Sequence, residues 1–184
     1  GRFREVSDEA GIRHSGKESN AVFADYDNDG FLDLFILKDG GDVLHRNNGD
    51  GTFKDVTGSA KIGSKTGGNN ALFFDLDHDG DLDMYKMTSD VNSQFRNNAD
   101  GTFQDQSDKM GTAKSGVVSR DAVFADFDND EDIDLVVVNE NAGNVFYANQ
   151  RLGVFKDMTE NAGLTSQGGS SSITAGDYNN DGFI

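Results

Sequence analysis

Apolar residues in this chain fall in short runs bounded by Gly, Asn and Asp, and the runs recur in a fixed order. Ala21-Val22-Phe23-Ala24-Asp25 returns as Ala71-Leu72-Phe73-Phe74-Asp75 and as Ala122-Val123-Phe124-Ala125-Asp126. β-Branched and aromatic content, short length and flanking turn residues predict strands rather than helices. A second strand is predicted over 32–37, with counterparts over 82–85 and 133–138. A third is predicted over 43–46, 93–96 and 144–148. It runs into Asn47-Asn48-Gly49-Asp50-Gly51, repeated as Asn97-Asn98-Ala99-Asp100-Gly101, where Asn-Gly and Asp-Gly signal tight hairpins. A fourth strand contains Phe53, Phe103 and Phe155, and the same pattern opens the chain as Gly1-Arg2-Phe3-Arg4-Glu5-Val6-Ser7. Helical period is absent apart from single turns near 7–11 and 159–163.

Between the first and second strands lies Asp25-Tyr26-Asp27-Asn28-Asp29-Gly30-Phe31-Leu32-Asp33. Its D-x-D-x-D-G-x-x-D pattern returns over 75–83 and over 126–134, and in truncated form over 177–184. The first Asp of each copy stands at 25, 75, 126 and 177, a step of 50 or 51 residues. Clustered carboxylates repel unless a cation neutralises them, and hard oxygen donors at alternate positions suit Ca²⁺. Asp, Asn and Gly also build ordinary solvated turns, but recurrence at constant spacing favours the metal reading. An EF-hand would need Glu at position 12; Ile36, Lys86 and Val137 stand there.

Four-stranded units of about 50 residues with strands apolar on both faces must stack on one another. The expected fold is all-β: a β-propeller with three complete four-stranded blades and partial blades at both ends. Over 1–184, residues 1–7 are read as the last strand of a preceding blade. Blades follow over 21–57, 71–107 and 122–159, and a further blade begins over 172–184.

The net charge is −17, from 33 acidic and 16 basic residues in 184, and the loops hold about half of the acids. Such a balance argues against nucleic acid, and no apolar run approaches the roughly 18 residues of a membrane span. Cysteine is absent, so disulfides say nothing of the compartment. Short, solvent-accessible calcium loops match the calcium concentrations found outside cells, so an extracellular, secreted or surface location is expected.

The repeated acidic loop, the N-N-G-D-G-T-F-x-D-V-T turn and Ala10-Gly11-Ile12 resemble FG-GAP/VCBS repeats of the ASPIC/UnbV-like type. Integrin alpha subunits carry more distant versions of the loop. The resemblance implies a calcium-bearing propeller. Its side-chain ligands would be Asp25, Asp27, Asp29 and Asp33, then Asp75, Asp77, Asp79 and Asp83, then Asp126, Asp128, Asp130 and Asp134. Backbone carbonyls of Phe31, Asp81 and Asp132 would complete them. In the third loop Glu131 replaces glycine, and a left-handed non-glycine residue costs on the order of 1 kcal/mol, so weaker binding is expected there. Asp177, Asn179 and Asp181 form a partial fourth site.

No catalytic residue is expected. His78 stands at a loop position held by Asn28, Asn129 and Asn180 and reads as a solvated turn residue. His45 aligns with Phe95 and Tyr147 in an aromatic slot, and His14 lies in a polar loop. A Ser-His-Asp assignment would be arbitrary. The Gly/Ser/Thr/Lys-rich connectors over 58–70, 108–121 and 160–171 are the candidates for recognition of protein or carbohydrate. The function expected is extracellular binding or adhesion. Two open edges imply a piece of a longer chain, or ends completed by neighbouring copies in a homo-oligomer or filament. The competing expectation is an accessory propeller of a secreted polysaccharide-active enzyme.

Overall fold

The computed structural model describes residues 1–13, 15–63, 66–113, 115–165 and 168–184. Twelve strands among them form three four-stranded antiparallel sheets, each taking its strands in sequence order. The first sheet comprises β1 (Glu18–Ala24), β2 (Asp33–Lys38), β3 (Val43–Asn47) and β4 (Phe53–Asp55). β5 (Asn70–Phe74), β6 (Asp83–Met87), β7 (Ser93–Asn97) and β8 (Phe103–Asp105) form the second. The third holds β9 (Ser119–Ala125), β10 (Asp134–Asn139), β11 (Val145–Asn149) and β12 (Phe155–Asp157). Register repeats with the sequence: Ala24 pairs with Asp33, Phe74 with Asp83 and Ala125 with Asp134. Each acidic loop therefore closes the hairpin between the first two strands of its sheet.

The second strands β6 and β10 are buried along their whole length and β2 nearly so. This matches sequences apolar at successive positions, because each sheet is covered on a face by its neighbour. Between the first and second sheets, Tyr26, Phe35, Leu37 and Leu44 meet Ala71, Met84, Phe95 and Phe103. The Tyr26 and Phe103 rings lie 5.7 Å apart. Between the second and third, Phe74, Leu76, Tyr85 and Met87 meet Leu135, Val137, Tyr147 and Phe155. His45 is buried in the slot that Phe95 and Tyr147 occupy in the other sheets.

Among the described residues the single helix, α1 (Ser7–Ala10), ends at Gly11, whose left-handed φ of 74° lets the chain reverse. The same turn follows β4 and β12, where Ala60 N–H donates to Val56 O and Ala162 N–H to Met158 O. At 159–163 it remains a turn rather than a helix.

Residues 1–6 are irregular, α1 begins at Ser7, and 172–184 carry no strand, so the partial blades expected over 1–7 and 172–184 are not among the three sheets. The Phe3 ring is fully exposed. Ile173 packs on the outer apolar face of the third sheet, near Val123, Phe127 and Phe146.

Candidate metal centre

Each loop is shaped by its own carboxylates. Asp25 accepts from the amides of Asp29 (3.0 Å) and Gly30 (2.9 Å), and Asp29 accepts from Phe31 N–H (3.0 Å). Asp75 and Asp126 repeat this with Asp79 and Gly80, and with Asp130 and Glu131. Gly30 and Gly80 take φ of 89° and 91°; Glu131 is forced to 74°, confirming the left-handed position. The partial fourth loop has the same turn, with Asp177 accepting from Asp181 and Gly182 and Asn179 donating to Asp181, but it lies at the exposed end of the chain.

Asp25, Asp27 and Asp29 bring one oxygen each within 4.8 Å of one another, as do Asp75, Asp77 and Asp79. In the third loop the group is Asp126, Asp128 and Asp134, with Asp130 outside it. The ninth-position aspartates are sealed from solvent. Asp33 accepts from Tyr26 N–H (3.2 Å) and Asn47 N–H (2.8 Å), fastening the loop to β3. Asp83 does so with Leu76 and Asn97, and Asp134 with Phe127 and Asn149. Burial pushes the Asp33 carboxyl up to about 6 and that of Asp83 up to about 7, against the opposing pull of those amides. Asp134 is raised for the same reason.

At the seventh position, Phe31 lays its ring over Gly49, where an added Cβ would lie 2.8 Å from the ring. Asp81 accepts from Asn28 Nδ2 (2.7 Å) of the preceding loop. Asp132 lies 3.6 Å from His78 Nε2, so His78 faces the next loop and is only half exposed.

Two groups that motif reading passed over complete the centre. Arg46, at the end of β3, binds Asp27 Oδ2 through Nε and Asp29 Oδ2 through Nη2 (2.7 Å). Arg96 binds Asp77 Oδ2 at 2.7 Å and Asp79 Oδ2 at 2.9 Å. A basic residue returning at one repeat position in so acidic a chain was the available signal. The second group is the last Asn of each third strand. Asn97 Nδ2 donates to Tyr26 O (2.7 Å) and Leu82 O (3.1 Å), bridging two successive loops.

Asp27 Oδ1 and Asp77 Oδ1 are buried and have no hydrogen-bond partner, and the Asp77 side chain is only 8% exposed. An ionised oxygen withdrawn from water and unpaired is costly. Three carboxylates converging beside such an atom are the donor set a hard divalent cation takes. The residues present therefore fit calcium in the first two loops.

A cleft of about 500 Å³ with mixed polar and apolar walls lies by the third connector, lined by Val117, Asn139, Asn144, Val145, Asp157 and Glu160 among others. His14, and residues 64, 65, 114, 166 and 167 of the predicted connectors, lie outside the described residues.

No curated protein matches the chain. A solved structure titled as an Agrocybe aegerita lectin specifically recognising non-reducing terminal N-acetylglucosamine is similar at 23% identity, with a TM-score of 0.46. The match covers 75% of this chain and 37% of the lectin, so this chain spans little more than a third of its length. The model of the FG-GAP-like repeat matches residues 1–85 and 126–184. With most of its length inside that match, the chain belongs to the FG-GAP-like repeat family.

Proposed function

We propose that this chain is part of a calcium-stabilised β-propeller, a non-catalytic extracellular module that binds protein or carbohydrate. The observation carrying the calcium reading is the pair of buried, unpartnered oxygens, Asp27 Oδ1 and Asp77 Oδ1, each within a converging set of carboxylates. A bound ion would supply positive charge at the hairpin between the first two strands of a blade, taking its oxygen ligands from the loop carboxylates. Asp25 and Asp75 hold the loop backbone in its turn, and Asp33 and Asp83 fasten it to the third strand. Family membership and the face-to-face stacking of three four-stranded sheets support the propeller.

On this reading the ions are structural, and recognition falls to connectors held on a rigid frame. The cleft by Asn144 and Glu160 offers amide, hydroxyl and carboxylate groups suited to a hydrogen-bonding ligand. Calorimetric titration of chelator-treated protein with Ca²⁺ tests the metal reading. Uptake of ions with a rise in melting temperature supports it. No uptake at millimolar calcium sinks it. A glycan array screened in calcium and in chelator then tests the ligand class.

A further inference from the structure

Arg46 and Arg96 divide the work of the carboxylates they touch. In each of the first two loops the guanidinium fork takes the Oδ2 atoms of the third- and fifth-position aspartates. The third-position Oδ1 is left buried and unpartnered, at Asp27 and again at Asp77. A planar fork can hold two mutually repelling carboxylates at a fixed separation, which a point charge cannot do. Ala148 occupies the equivalent site in the third sheet, pairing with Lys156 as Arg46 pairs with Lys54. There the converging set changes, to Asp126, Asp128 and Asp134.

Resting on the calcium reading above, we propose that Arg46 and Arg96 are positioning residues that pre-set two ligand carboxylates. The loops at 25–33 and 75–83 then form one class of site and the loop at 126–134 a second, weaker class. The competing effect is repulsion between the guanidinium and the ion. Both arginines are about 40% exposed, so solvent screens that repulsion. Their charge is also engaged by two carboxylates each. Asp29 and Asp79 are already held by the amides of Phe31 and Asp81, so the clamp chiefly fixes Asp27 and Asp77, and ordering one free side chain on binding costs up to about tenfold in affinity.

The test is calcium calorimetry on the full chain, with terbium luminescence lifetimes in H₂O and D₂O counting the waters left on the ion. The unaltered chain is expected to show two strong sites and one about tenfold weaker. Arg96→Ala should leave one strong site and two weak ones, with extra water on the ion. Arg96→Lys should recover only part of the loss, because an ammonium cannot fork. Ala148→Arg should move the third site toward the strong class, and it serves as the independent arm if Arg96→Ala fails to fold. Unchanged or tighter binding in Arg96→Ala overturns the clamp while leaving the calcium reading intact. So does a third site strengthened by Glu131→Gly but not by Ala148→Arg. A chain that takes up no ion removes the calcium reading, and the clamp with it.

Discussion

Lys86 Nζ lies 2.8 Å from Asp42 Oδ2, and both side chains are sealed from solvent. The pair joins the second sheet to the turn between β2 and β3 of the first. Asp42 Oδ1 also accepts from Gly68 N–H (3.0 Å) and Lys38 N–H (3.3 Å), so the carboxylate is fully engaged. Lys86 stands where the other sheets carry Ile36 and Val137, and Asp42 where the second sheet carries Asn92. Removing one charge strands the other, so Lys86→Ile should cost about 3–5 kcal/mol. Replacing both as the repeats do, with Lys86→Ile and Asp42→Asn, should recover most of that loss. Chemical denaturation of the two single variants and the double variant checks this as a cycle.

Proton linkage should change sign with calcium. The folded-state pKa values of Asp83 (about 7) and Asp33 (about 6) lie above the ordinary carboxylate value of 3.8. A raised carboxyl pKa means that the folded state binds the proton more tightly. Its favourable contribution is complete below about pH 4 and is lost as pH rises through the folded value. Chelator-treated protein should therefore melt at higher temperature as pH falls from about 7.5 toward 5. In saturating calcium the trend should reverse, because the charge of an ion beside Asp33 and Asp83 favours their ionised forms and protonation then opposes binding. Thermal melts across that range, with and without chelator, check both arms.

Asn97 ties the Tyr26 carbonyl of one loop to the Leu82 carbonyl of the next from a fully buried position. Asn97→Ala should leave both carbonyls wanting a partner, at about 1–3 kcal/mol for each buried group. Denaturant unfolding in calcium should show the loss. Coupling between the loops is read by titration, where the first two sites should bind less alike than in the unaltered chain.

Gly153 has φ of 72°, and an added Cβ would stand 2.1 Å from Leu76 Cδ2 in the loop of the neighbouring sheet. Gly153→Ala combines left-handed strain with overpacking, and should destabilise by about 2–4 kcal/mol. A lowered melting temperature with unchanged far-ultraviolet circular dichroism at 20 °C or so is the expected record.

Much of the centre was legible in the chain because its parts are neighbours in sequence. Asp25, Asp27 and Asp29 are two residues apart, and turn chemistry at Asn28 and Gly30 is local, so spacing sufficed to group them. Arg46 was not legible as a partner of Asp27, 19 residues away, until β3 was laid beside β2. His78 is the exposed turn residue its position suggested, and only the fold shows that the carboxylate 3.6 Å away is Asp132 of a different sheet. Residues 1–6 and 172–184 carry the strand pattern without a strand in this chain, since apolar pattern proposes a strand but ladder bonds to another strand make one.

The sequence by itself determined the repeating unit, the four strands in each copy, the acidic hairpins and the family. All of these follow from periodicity and turn preference acting over a few residues. Only the tertiary structure decided which charges meet: Arg96 with Asp77 and Asp79, Lys86 with Asp42, and Asn97 with two loops at once. These contacts depend on strand register and on how one sheet faces the next. Both are set by burial of side chains such as Tyr26, Phe74 and Phe103 between sheets, and no local spacing encodes that.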